Sequence, residues 1–502
     1  MIGLILIILA GGLHSLPMAY PVLWVFQPLA LACLLWQLDR ASPRRAAALA
    51  WLFGLAWLTA SVWWLFVSMH TYGGLPAWMS VAAVWALCAA LAGYLALAFA
   101  AFAKWRTRRL IPDSVLVSAL WLLAELARGM MFTGFPWASS GYAHVDSPLA
   151  GLAPWLGVYG MGAAATFFVA LLVFQRALSL SIRSRGVAIG SVLAVVLGVA
   201  QFLDHDFTSA VGELSVALLQ NNVPQNEKFQ AQSVAGQLDW TLERLTSLPV
   251  ELVVAPETVV PLLPADIPQA FHDAVVQHYQ QPGRHALIGL PLGDERIGYT
   301  NSVAGLSALM SQKPPGFYRY DKHHLVPFGE FIPPAFRWFT QMMNIPLGDF
   351  DRGPLVAPSF PVQTGHTVQW VAPHICYEDL FGEELAARFI TDHPPTMLAN
   401  LSNIAWFGNT IAIRQHLQIS RLRSLELQRP ILRSTNTGAT AIINHRGQVV
   451  NQLPPHTQAV LGGLVQGRQG LTPFAWWAGR WGLWPLLGVA LALIALSRRG
   501  AP

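Results

Sequence analysis

Eight stretches of this chain are apolar over about the length a helix needs to cross a bilayer. That pattern limits the folds open to the chain more than any motif does. The stretches lie near 2–19, 21–38, 46–67, 77–103, 113–131, 151–175, 186–204 and 480–497. A spanning helix needs about 20 mostly apolar residues, because hydrocarbon offers no partner to backbone N–H and C=O groups. Only 11% of the residues are charged and 54% are hydrophobic, against roughly 25% charged in a soluble domain. Gly11, Gly12, His14 and Pro17 interrupt the first stretch. No Lys or Arg precedes its apolar centre, so it reads as a span rather than a cleaved secretory signal. The expectation is a polytopic α-helical membrane protein.

The basic residues orient the spans. Lys and Arg concentrate in cytoplasmic loops. Here they cluster in alternate connections: Arg40, Arg44 and Arg45; Lys104, Arg106, Arg108 and Arg109; Arg176, Arg183 and Arg185; and Arg498 and Arg499 after the last span. Loops between them, such as Ser68–Gly74, carry almost none. This alternation predicts both termini inside and the large polar region after the seventh span outside. The net charge of +5 is absorbed by this topology, so it is not read as nucleic-acid binding.

From about residue 205 the pattern changes. Short apolar runs at 214–220, 250–255, 286–290, 368–372, 396–400 and 439–444 read as strands, the last followed by a turn at His445-Arg446-Gly447 and a further strand. Segments 230–247, 267–281, 380–391 and 410–428 read as helices. Continuous apolar strands separated by helices predict an α/β domain whose sheet is covered on both faces. The division expected is a seven-span membrane domain at 1–204, a catalytic domain at 205–470, and a final span with its tail at 471–502.

Cys376 is the only cysteine of the polar region; Cys33 and Cys88 lie in apolar runs. It ends the apolar run Val371-Ala372-Pro373-His374-Ile375 and is followed by Tyr377-Glu378-Asp379. Glu257 and Lys322 occupy similar strand-end contexts, where α/β folds gather reactive groups. A thiol nucleophile needs a base for its proton and a positive charge or donors for the oxyanion. With Cys376 as the thiol, Glu257 meets the first need and Lys322 the second. Each has an inert alternative: buried filler for Cys376, a helix first-turn residue for Glu257, solvated surface for Lys322. His323, His324 and His374 lack a usual zinc spacing, so no metal and no cofactor are expected.

Taken in order, these motifs resemble the nitrilase superfamily, whose members use a Glu-Lys-Cys triad. The spacing of Lys322 and Glu330 is similar to those amidases, in which a second glutamate supports the site. With the membrane spans added, the chain resembles the apolipoprotein N-acyltransferase family. Further similar segments are Thr133–Trp137, Gln220–Gln225, Tyr299–Ser302, Ser402–Gly408 and Arg433–Gly438. Two residues depart from the family pattern: Ile404 stands where Asp is common, and Phe229 follows Lys228 where Trp is expected.

The resemblance implies an α-β-β-α catalytic domain inserted among about eight spans, on the periplasmic side of a bacterial inner membrane. It implies that Cys376 takes an acyl chain from a membrane phospholipid. The thioester is then passed to the N-terminal amine of an S-diacylglyceryl-cysteine apolipoprotein. Glu330, Glu378, Tyr377 and Asn301 are expected to support the triad. Trp338, Phe339, Met342 and Met343, in an apolar segment after Glu330, are expected to meet lipid; a core helix is the plain alternative. A membrane-tethered nitrilase-type amidohydrolase is the competing enzyme reading. A transporter is the competing class, resting on the intramembrane pair Glu125 and Arg128.

Overall fold

The computed structural model describes residues 2–175, 182–294, 296–312, 316–332, 350–365 and 367–498. Arg176, Arg499 and the segment holding Trp338, Phe339, Met342 and Met343 lie outside the described residues. Two compact units form: Met1–Phe66, Ala77–Asp206 and Trp481–Pro502 make one, and Val67–Pro76 with Phe207–Arg480 make the other.

Among the described residues, seven helices of the first unit are long and apolar enough to cross a membrane: Ile2–Ala19, Pro21–Leu38, Pro43–Val62, Ala77–Trp105, Leu110–Thr133, Pro148–Phe174 and Gly186–Leu203. The third begins where Ser42 accepts a hydrogen bond from the Arg45 N–H and Pro43 takes the first helical position, where a missing N–H costs nothing. Gly11, Gly12 and Pro17 do not break the first helix. At the predicted span 480–497 the helix is Trp484–Arg498, preceded by the separate helix Pro473–Trp481 and a break between them. Gly482, at φ 56°, lies in that break, where a side chain would be strained. Up to eight spans result if the bent pair counts as one, and the chain is a multi-pass membrane protein.

Three of the basic clusters share one end of this bundle. Arg106 donates to the carbonyls of Leu38 and Ala41, and Arg108 to that of Asp39. The Arg498 guanidinium sits 4.7 Å from the Trp105 ring centroid. Glu125 and Arg128 are buried and held by protein. Arg128 donates to Glu125 (3.2 Å) and to the Trp137 carbonyl (2.6 Å), and Glu125 accepts from the Ser140 N–H and hydroxyl at 2.7 and 2.8 Å. The pair that raised the transport reading therefore pins the 137–140 loop to its helix.

The second unit contains two six-stranded sheets among the described residues. The first has the order β12-β1-β2-β3-β4-β5, with β1 Thr208–Gln220, β2 Leu252–Ala255, β3 His285–Asp294, β4 Gly298–Ser307, β5 Tyr318–Asp321 and β12 Ala459–Gly470. The second has the order β11-β10-β9-β8-β7-β6, with β6 Phe360–Thr364, β7 Thr367–Ile375, β8 Met397–Ser402, β9 Ile431–Thr435, β10 Ala441–Ile443 and β11 Val449–Gln452. In each, three central strands run parallel and the flanking ones antiparallel: β1, β2 and β3 in one, β7, β8 and β9 in the other.

The sheets pack face to face, as the resemblance implied, whereas the apolar runs alone had suggested one sheet with helices on both sides. Successive side chains alternate between faces. Leu252 and Val254 of β2 enter the core between the sheets with Met397, Ala399 and Leu401 of β8. Val253 and Ala255 face the other way, against Leu238 and Leu245 of helix Ala231–Ser247 and Phe271, Val275 and Tyr279 of helix Gln269–Tyr279. Behind the second sheet, Leu398 meets Leu385, Leu427, Phe474 and Ala478. The layers are α-β-β-α. Burying each large aliphatic side chain contributes roughly 1.5–3 kcal/mol. The helix predicted at 380–391 is only Gly382–Ala387, preceded by a tight turn at Cys376–Leu380.

Candidate active site

Glu257, Lys322 and Cys376 leave the ends of β2, β5 and β7, and the fold brings them together. Glu257 sits in a turn rather than at the start of a helix. Lys322 is 1% exposed, which excludes the solvated-surface reading. Its ammonium lies 2.8 Å from Glu330 and 3.6 Å from Glu257. Asn301 donates from Nδ2 to Glu257 Oε1 and Glu330 Oε1, both at 2.7 Å. Carboxylates only accept, so this fixes the sense of the amide. The second Glu257 oxygen accepts from the Asn403 N–H at 2.7 Å, and the second Glu330 oxygen from the Val326 N–H at 2.8 Å. Every carboxylate oxygen is thereby committed, and the two acids flank one cation.

Burial lowers the Lys322 pKa, but Glu330, then Glu257 and Cys376, outweigh it and hold the ammonium above the ordinary lysine range. The Cys376 pKa is raised as well, which keeps this group neutral. Burial, then Glu257, raise its thiol above the ordinary value against the opposing pull of Lys322. At rest it is a thiol, and its proton needs a base at the moment of attack.

Cys376 has φ 51°, a left-handed conformation uncommon outside glycine and typical of strained functional turns. The strain is held by buried partners. The Cys376 carbonyl accepts from Asn400 Nδ2 at 3.5 Å and lies 3.2 Å from His416 Nε2. His374 Nε2 lies 2.7 Å from Asp379 Oδ1, so it serves this network. Burial opposes ionisation of Asp379, yet His374, His416 and Arg433 keep its carboxyl far below the usual range.

Glu378 lies beside these residues, in the turn that follows Cys376. It accepts from the Tyr320 hydroxyl (2.7 Å), the Ile375 N–H (2.6 Å) and the His323 and His324 N–H groups (2.7 and 3.2 Å). It thus ties the loop after Lys322 to the turn holding Cys376. His324 stacks on Phe381, with ring centroids 3.4 Å apart, and its Nδ1 lies 2.9 Å from Glu384. His323 Nδ1 lies 2.8 Å from the Gly353 carbonyl. Tyr377 is buried against His324 and Phe381. Two participants went unnoticed in the sequence: the Asn403 N–H on Glu257, and Lys228, whose Nζ donates to the Glu257 carbonyl at 3.0 Å. Both lie in or beside segments that resemble the family, and that was the available signal.

Residues 10–171 match the family described as apolipoprotein N-acyltransferase N-terminal domain, and residues 215–469 match carbon-nitrogen hydrolase. An apolipoprotein N-acyltransferase of Verminephrobacter eiseniae is 47% identical, with 95% of this chain and 92% of the relative covered. This chain belongs to the apolipoprotein N-acyltransferase family. Members from Ralstonia nicotianae and Bordetella bronchiseptica are 45% and 42% identical, each over 98% of this chain and over 92% and 96% of their own length. The nitrilase-like sandwich among membrane spans is therefore the family's own combination, with the carbon-nitrogen hydrolase match lying wholly within the second unit.

Proposed function

We propose that the chain is an N-acyltransferase that moves an acyl chain from a membrane phospholipid to the N-terminal amine of a diacylglyceryl apolipoprotein, through a thioester on Cys376. The observation that carries this reading is the meeting of Cys376, Glu257 and Lys322 in a chain of this family. In the first step Glu257 takes the thiol proton as sulfur attacks the ester carbonyl. Lys322 and the Tyr377 N–H balance charge on the oxyanion. The C–O bond breaks, Glu257 returns the proton to the leaving oxygen, and a lysophospholipid departs. In the second step the substrate amine attacks the thioester. Glu257 takes a proton from it, the C–S bond breaks, and the sulfur is reprotonated. Glu330, Asn301 and Glu378 position these groups. A domain at 205–470 between the seventh and last spans suits this chemistry, because both substrates are held in a bilayer and anchoring the site there raises their effective concentration.

Intact mass measurement tests the route. Incubation with phosphatidylethanolamine vesicles is expected to add one acyl group, and a diacylglyceryl lipopeptide to remove it as an amide product. Free fatty acid in place of a persistent acyl-enzyme supports the amidohydrolase reading and defeats this one.

The proposed location is the inner membrane with the sandwich on the periplasmic face, supported by the basic clusters that share one end of the bundle. A reporter active only in the periplasm is expected to work when fused after residue 300 and to stay silent after Arg109. The reverse pattern overturns the orientation.

A further inference from the structure

A second lysine reaches the site. Lys228 is 0% exposed, although it lies in the polar stretch Gln225-Asn226-Glu227-Lys228. The Lys228 N–H donates to the Pro224 carbonyl at 3.1 Å, which closes a turn. Gln237, from helix Ala231–Ser247, donates to the Lys228 carbonyl at 3.3 Å. Both contacts direct the side chain inward. Its ammonium meets the carbonyl of Glu257 at 3.0 Å.

That carbonyl belongs to the peptide that joins Glu257 to Thr258. Thr258 has φ 50°, a strained conformation for a β-branched residue that persists only when its surroundings hold it. The turn also lies directly on β3: a Cβ on Gly289 would come within 2.3 Å of the Pro256 carbonyl oxygen and 2.7 Å of the Glu257 Cα. The backbone that aims the Glu257 carboxylate is thus fixed from one side by a glycine contact and from another by the Lys228 ammonium.

We propose that Lys228 is a positioning residue for the candidate base: it clamps the Glu257 peptide and adds a second positive charge to the site during acyl-enzyme formation. The proposal rests on the reading of Glu257 as the base. The charged groups that act on Lys228 are Glu257, on the turn after β2, and Cys376, at the end of β7. Burial brings its pKa down to about 8, against the upward pull of those two groups. Lys228 therefore loses its charge as pH passes about 8, while Lys322 keeps its own. Negative charge created at Cys376 or Glu257 is then less well balanced, so the rate falls.

The test is the pH dependence of acyl-enzyme formation from phosphatidylethanolamine vesicles, followed by intact mass. Omitting the acceptor keeps its amine, which also titrates near pH 8, out of the profile. Wild type is expected to show an alkaline limb near pH 8. Lys228→Met is expected to lower the rate at pH 7 by about 10- to 100-fold, leave the apparent KM for phospholipid unchanged and abolish the limb. Lys228→Arg is expected to recover part of the rate and move the limb upward. If Lys228→Met does not accumulate as folded protein, Lys228→Gln carries the same comparison. A rate within twofold of wild type, or an unchanged limb in a slowed variant, overturns the proposal. Glu257→Gln, measured in parallel, separates the two readings. If it is active, the base assignment fails and this proposal falls with it. If it is inactive while Lys228→Met behaves as wild type, only the role given to Lys228 fails.

Discussion

Cys376→Ser is expected to fold as wild type and to accept no acyl group from phospholipid, with overall transfer reduced on the order of 10⁴-fold or more, as when one member of a cooperating nucleophile set is removed. Serine fits the space and inherits the same φ 51° turn, held by Asn400 and His416 through the backbone carbonyl rather than through the side chain. The loss is therefore chemical. The Cys376 thiol is already pushed above its ordinary pKa by burial and by Glu257, so even sulfur depends on a base in the transition state. A hydroxyl is far less acidic than a thiol, and a carboxylate is a weak base for it. The measurement is intact mass after incubation with phospholipid, beside thermal unfolding of both proteins in the same detergent. Cys33 and Cys88 remain in the variant and serve as internal controls. Cys376→Ala transferring acyl groups at the wild-type rate would sink the mechanism.

Much of this site was legible because its residues end apolar runs. Glu257 and Cys376 follow β2 and β7; β2 and the Val371–Ile375 half of β7 are buried on both faces and so appear in the sequence as largely apolar stretches. The same property hid the architecture. A strand between a sheet and a layer of helices has the same composition as one between two layers of helices, so the pairing of two sheets was not readable from the runs. β12 was missed because Gly462 and Gly463 interrupt its apolar half and Gln466, Arg468 and Gln469 fill the other. β5 and β6 are only four and five residues long. Lys228 was hidden by its neighbours. Glu227 beside it and Asn226 before it mark a solvated loop, and only the turn closed on Pro224 shows that the chain folds the lysine inward. The commitments of Asn301 and Asn403 to Glu257 join residues 44 and 146 positions apart, and local pattern carries no trace of pairings at that range.

Lys322→Met and Glu257→Gln are each expected to cripple both half-reactions while leaving phospholipid binding intact. For Lys322 the loss of one oxyanion donor alone costs ~10²–10³ in rate. The structure adds a second penalty. Glu257 and Glu330 accept from the same Asn301 amide and share Lys322 as their counter-charge. Without the ammonium, two carboxylates in one buried site cannot both stay ionised at little cost, and a proton shared between them disables the base. The expected loss for Lys322→Met is therefore ~10³-fold or more, at or beyond the upper end of that single-donor range. Removing one partner of a buried ion pair also costs roughly 3–5 kcal/mol of stability, so rates are taken per folded molecule. Glu257→Gln keeps an acceptor for Asn301 but turns an amide NH2 toward the Asn403 N–H, and with the loss of the proton acceptor the expected change is about 10²–10⁴-fold. The pH dependence distinguishes the two lysines. Lys322 has a pKa raised above that of the unfolded chain, so its stabilisation is fully present below about pH 10.4 and is lost only as pH rises through the higher folded value. It therefore does not titrate across the pH range in which the lipid assay is run, and Lys322→Met lowers the whole profile without moving its alkaline limb. Lys228 is the group expected to set that limb. A Lys322→Met enzyme within twofold of wild type would return Lys322 to a structural role, and a limb that moved with Lys322 instead of Lys228 would reverse the assignment of the two charges.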